Sequence, residues 1–173
     1  APHPWTAASL AERGGQVVVG AMSVRDASAL EPGEPVPDDV TRVAVAYSLD
    51  DGHTWDSTMA PLTYTKLSAN NTIIQGDPSA AMDSEGRGWV LYHEIEVEFG
   101  SGCDHGPKIL RSRVLLVSTT DGRTVSWPGK IAELNSTEGK NDYLDGPKLV
   151  ITPDDTMHFA WFEAPFEPAY KPD

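Results

Sequence analysis

A chain of 173 residues, 39% hydrophobic and 23% charged, has the length and composition of one compact domain that buries a core. Its 26 Asp and Glu against 13 Lys and Arg give a formal net charge of −13, which repels phosphate backbones and anionic surfaces and excludes nucleic acid as a partner. No apolar run approaches the roughly 20 residues of a bilayer-spanning helix, so membrane insertion is not expected, and Ala1–Trp5 lacks the basic and apolar segments of a signal peptide, as in a soluble chain already mature or excised.

Apolar residues fall in short β-branched or aromatic runs bounded by Gly, Pro, Asp and Ser, not at helical spacing, which predicts an all-β fold. In chain order the predicted strands are Trp5–Leu10, Gln16–Ser23, Arg42–Ser48, Ser57–Leu62, Ser79–Asp83, Gly88–Ile95, Ile109–Thr119, Lys130–Leu134, Lys148–Thr152 and Thr156–Glu163. The connections Val24–Thr41, Thr63–Asp77, Glu96–Lys108, Glu133–Asp145 and the tail after Glu163 are long for a plain meander. Long loops on a rigid scaffold are where binding usually resides. The lone Cys103 leaves no disulfide framework within the chain, and two sequons, at Asn70 and Asn135, are glycosylation candidates.

The chain also repeats. Asp51-Gly52 recurs as Asp121-Gly122, a shift of 121 − 51 = 70, and Asp77-Pro78 with its following strand matches Pro147 and Asp155–Trp161, a shift of 147 − 78 = 69. Each period holds two strand pairs, the second closed by a Ser-x-x-Asp-Gly-x-Thr hairpin, and this four-stranded meander is the unit of a β-propeller blade.

Ser48-Leu49-Asp50-Asp51-Gly52-His53-Thr54-Trp55 fits S-x-D-x-G-x-T-W and resembles the Asp-box, or BNR repeat, of sialidase-like β-propellers. A second copy aligns as Ser118, Gly122 and Thr124 with Asp121, Thr120 standing for the box Asp and Val125 for the Trp. The resemblance implies blades at about 5–62 and 77–134, half a blade at 145–163 and a Pro-rich tail at 164–173. It implies a secreted protein that recognises or hydrolyses glycans, completed by further blades from a second chain or a homo-oligomer. The alternative is a non-catalytic propeller that binds a protein or glycan. The Arg-Ile-Pro motif of sialidases is absent, since the start reads Pro4-Trp5-Thr6, and no sialidase catalytic residue carries over.

The box itself reads as structural: Asp and Ser side chains accept from turn amides, Gly52 supplies positive φ, and Trp55 buries its ring between sheets. If the box turns lie on one face, the first-to-second strand turns share it and function sits opposite. There Asp77 and Asp145 occupy matching positions at the start of an innermost strand, as acid/base candidates or as carboxylates bonding their own turn amides. Arg25 and Asp26 are candidates for a sugar carboxylate or for a loop ion pair, and Tyr143 for sugar stacking or for packing between blades. No cofactor is required. Alternation puts Glu94, Glu96 and Glu98 on one side of a strand, and Glu96 with Asp104 and His105 is a candidate Ca²⁺ or other divalent-cation set. The other reading is a solvated edge strand whose like charges discourage pairing.

Overall fold

The computed structural model describes residues 5–26, 39–63, 71–98, 108–135 and 142–165. These residues are all-β. The strands are β1 (Trp5–Arg13), β2 (Gln16–Asp26), β3 (Asp39–Ser48), β4 (Asp56–Met59), β5 (Asn71–Met82), β6 (Gly88–Glu98), β7 (Lys108–Thr119), β8 (Gly129–Asn135), β9 (Asp142–Ile151) and β10 (Met157–Pro165). They form two four-stranded antiparallel meanders, β1-β2-β3-β4 and β5-β6-β7-β8, and a hairpin of β9 with β10. Every predicted strand falls on one of these, but β5 and β9 begin well before Ser79 and Lys148. Asp77 and Asp145 therefore lie within strands, not at their starts.

The reason is a shared irregularity. The ladder breaks register at Trp5/Ala7 in the first sheet, at Gly76/Ser79 in the second and at Ala160/Phe162 in the hairpin. Proline cannot donate to a ladder and normally ends a strand, but a bulge absorbs it. Pro78 and Pro147 each follow a residue with positive φ, Asp77 at 47° and Gly146 at 55°. The backbone counterpart of Asp77 is thus Gly146, and Asp145 corresponds to Gly76.

β1, β5 and β9 lie beside one another and are joined by one recurring hydrogen bond. The Ala80 amide donates to Ser9 Oγ at 2.9 Å, and the Leu149 amide donates to Ser79 Oγ at 3.0 Å. Period-two alternation on β6 then feeds two cores. Val90 and Tyr92 join Val18, Val43, Val45, Tyr47 and Val117 between the two meanders, whereas Leu91 with Trp89 packs on Leu144, Leu149 and Phe159 of the hairpin. β6 is covered on both faces and buried or half-buried along its whole length, although its second half carries His93, Glu94, Glu96 and Glu98.

The turn after β3 has the side-chain bonds to turn amides that the sequence predicts. Ser48 Oγ donates to Asp50 Oδ1 at 2.8 Å and accepts from the Gly52 amide at 2.9 Å, while the Thr54 amide and hydroxyl donate to Asp50 at 2.8 and 2.7 Å. Trp55 departs from expectation. Its ring is 45% exposed and caps the turn, with Nε1 donating to Gly52 O at 2.8 Å, because the ring folds back over the glycine. In the second copy the box hydroxyl is Thr119, not Ser118: Thr119 Oγ1 accepts from the Gly122 amide at 2.8 Å, and Asp121 Oδ1 accepts from the Thr124 amide at 3.0 Å. This turn is one residue shorter between hydroxyl and glycine, so Asp121, not Thr120, fills the Asp role.

The Thr54 amide, then the Thr54 and Ser48 hydroxyls, hold the Asp50 carboxyl down to about 2. A depressed folded pKa stabilises the fold above the unfolded value of about 3.9, and that contribution is lost as pH falls through about 2. Asp50→Asn is expected to melt below the wild type at pH 7. The gap should narrow below pH 4 and close near pH 2 in paired thermal melts, and a gap that does not change with pH would contradict the assignment.

Turns meet at one end of the sheets. The Asp51 amide donates to Gly15 O at 2.8 Å, Tyr47 Oη donates to Gly86 O, and the Ser84 amide donates to Asp155 Oδ1 at 2.7 Å. The first-to-second and third-to-fourth turns thus share a face.

Candidate functional site

His93 stands five residues along β6 from Gly88, roughly 17 Å from the turn end at strand rise. Alternation puts it on the face of Trp89 and Leu91, toward the hairpin, and its register partner is Gly76. The absent side chain at Gly76 makes room for the ring, since a Cβ there would lie 2.8 Å from His93 Nε2. The bulges bring Asp77 and Asp145 to the same imidazole. His93 Nδ1 lies 3.3 Å from Asp145 Oδ1 and 3.7 Å from Asp77 Oδ2, and the three groups offer ligand atoms all within 4.8 Å of one another.

The two carboxylates differ in surroundings. Asp77 is 43% exposed at its side chain, and Asp145 is 20% exposed. Tyr143 Oη donates to Asp145 Oδ2 at 3.2 Å and the Gly146 amide donates to Oδ1 at 2.8 Å, which fixes that carboxylate's orientation. The His93 imidazole, then hydrogen bonds from Asp77 and the Gly146 amide, hold Asp145 well below the usual carboxylate range. Partial burial, then the hydrogen bond with Asp145, pushes Asp77 up. Partial burial and the Asp145 charge likewise raise the Tyr143 hydroxyl. Such a divergent pair beside an imidazole is typical of functional sites, and structural ion-pair networks produce it too.

The sequence thus singled out both carboxylates but missed His93. A histidine in an apolar strand carries no local signal, and only the register of β5 on β6 reveals it. Tyr143 packs against Ile95, Val97 and Ile109 while its hydroxyl reaches Asp145, so it joins the site through Asp145. Arg25 and Asp26 end β2, opposite Val40 and Asp39, not in a loop; their side chains lie outside the described residues.

The carboxylate row on β6 does not lie on an edge strand. β6 is an interior strand, with Glu94 opposite Arg113 and Glu96 opposite Arg111 on β7. Arg111 donates to Glu96 Oε2 at 2.8 Å, and Asn71 Nδ2 donates to Oε1 at 3.3 Å. With both oxygens engaged, Glu96 is committed to the sheet. Asp104 and His105 lie outside the described residues. No family model matches the chain, and no curated protein matches it.

Proposed function

We propose that this chain is part of an Asp-box β-propeller that recognises or hydrolyses glycans, with Asp77, His93 and Asp145 at its working site. The observation that carries the reading is convergence: two carboxylates from successive repeat units meet at one partly open point, at a distance from the box turns. The repeated inter-sheet hydrogen bond and the shared bulge support propeller-like repetition. Two apolar surfaces support further blades. A shallow groove of about 260 Å³ on the first sheet is lined by Ala8, Val19, Ala21, Ala44, Ala46 and Trp55. The hairpin exposes Val150, Trp161 and Phe162. Patches of this kind ordinarily mark interaction surfaces, and a second polypeptide or a second copy would cover them.

A binding module without catalysis is the second reading, and the spacing favours it. Flanking carboxylates in retaining glycosidases stand about 5–5.5 Å apart, whereas Asp77 and Asp145 bring carboxylate oxygens within 4.8 Å of each other around one imidazole. Chromogenic glycosides together with a glycan array decide the matter. Under the hydrolytic reading, Asp77→Asn and Asp145→Asn each lower turnover by about 10²-fold or more. Glycan binding without turnover, lost in the same variants, establishes the binding module, and neither signal overturns both readings.

A further inference from the structure

Buried polar atoms are almost always hydrogen-bonded, so an exception at a cluster of ligating side chains points to a ligand. His93 is 6% exposed, and its Nδ1 has no hydrogen-bond partner although two carboxylates stand within 4 Å. One ligand atom from each of Asp77, His93 and Asp145 lies within 4.8 Å of the others. A tetrahedral ion with bonds of about 2.0–2.1 Å has ligand–ligand separations of about 3.3 Å. The two imidazole–carboxylate separations, 3.3 and 3.7 Å, fall at and just above that value.

We infer that Asp77, His93 and Asp145 form a binding site for a single divalent transition-metal ion of the zinc or manganese class. The donor set selects the class. An imidazole nitrogen suits zinc and its neighbours, whereas Ca²⁺ takes six to eight oxygens and three side chains fall short of that number. The ligand geometry is held from outside: Tyr143 Oη and the Gly146 amide fix the Asp145 carboxylate, and Gly76 leaves the space that the imidazole fills. Such outer contacts set the orientation of metal ligands. Three protein ligands leave at least one coordination position open, on the side where Asp77 reaches solvent. The inference concerns the occupancy of the site and stands whether or not a glycan is the substrate.

Isothermal titration of the full chain, stripped with chelator and then supplied with Zn²⁺, Mn²⁺ or Ca²⁺ alone, tests it. The expected result is one equivalent of Zn²⁺ or Mn²⁺ bound at least tenfold more tightly than Ca²⁺. His93→Gln and Asp145→Asn should each weaken it by about 10–100-fold, and circular dichroism reports whether each variant is folded. Asp77→Asn, at the most exposed of the three ligands, gives a second reading if a buried variant fails to fold. Glu96→Gln should leave affinity unchanged. No binding by the wild type, equal affinity for Ca²⁺, or affinity unchanged in folded ligand variants would overturn the inference. Because no glycan enters this titration, its failure is separate from failure of the glycan assays.

Discussion

Glu94→Ala is expected to cost about 3–5 kcal/mol of folding free energy, the usual loss when one partner of a buried ion pair is removed. Glu94 is 3% exposed. Its carboxylate accepts from Gln75 Nε2 at 3.0 Å, from the Thr63 amide at 3.3 Å and from the Thr63 hydroxyl, and it lies 3.6 Å from Arg113 Nη1. Gln75 is fully buried and accepts from the Val43 amide at 3.2 Å, so the network stitches the first meander to the second. Deletion strips the guanidinium of Arg113 of its most buried counter-charge and leaves Thr63 without its acceptor. Glu133, at the more exposed end of the same chain of contacts, pairs with Arg113 at 3.0 Å and with Lys130 at 3.0 Å. Its replacement by Ala is expected to cost about 1 kcal/mol, as solvent compensates there. Equilibrium denaturation of both variants reads the difference, and similar losses would show that the Glu94 network is not the stronger tie.

The position of Glu94 also bears on the site. Alternation places it back to back with His93 on β6, so the network that anchors one face of the strand steadies the residue on the other. A variant that loosens Glu94 without unfolding the chain disturbs the separations around His93.

Strand positions were legible because β-branched runs between turn residues mark them directly, as at Arg42–Ser48 and Ile109–Thr119. Strand lengths at the site were not, because Asp77-Pro78 and Gly146-Pro147 have the chemistry of a turn while the chain uses them as bulges. Repetition identified Asp77 and Asp145 together, but alignment by residue type paired them with each other. The backbone pairs Asp77 with Gly146, since the positive φ before proline is the conserved geometry of the repeat, not the carboxylate. His93 was invisible because membership of the site depends on register with Gly76 and on proximity to β9. The Glu94–Glu98 row suggested an exposed edge because the answering cations, Arg111 and Arg113, lie on another strand. Alternation revealed the shared side but not what covers it.

Register between repeat units also governs the second large effect. Gly122 has φ of 70°, and a Cβ there would lie 2.5 Å from Asp56 O and 2.9 Å from Tyr47 Cβ. The first is backbone of the preceding meander and cannot swing aside. Gly122→Ala is therefore expected to lose about 2–5 kcal/mol, the left-handed penalty for a side chain added to that of overpacking. Gly14, at φ of 59°, provides the comparison, because a Cβ there meets nothing within 4 Å. Gly14→Ala carries only the conformational part, about 1–2 kcal/mol. Denaturant midpoints measured side by side separate the two costs. A clear excess at Gly122 means that the second box turn is wedged against the first meander, so the Asp-Gly of this repeat is retained for contact between units as well as for its own turn. Equal losses would mean that the turn can shift away from Asp56, and that the meanders are joined mainly by the Gln75–Glu94 network and the apolar cluster around Tyr92.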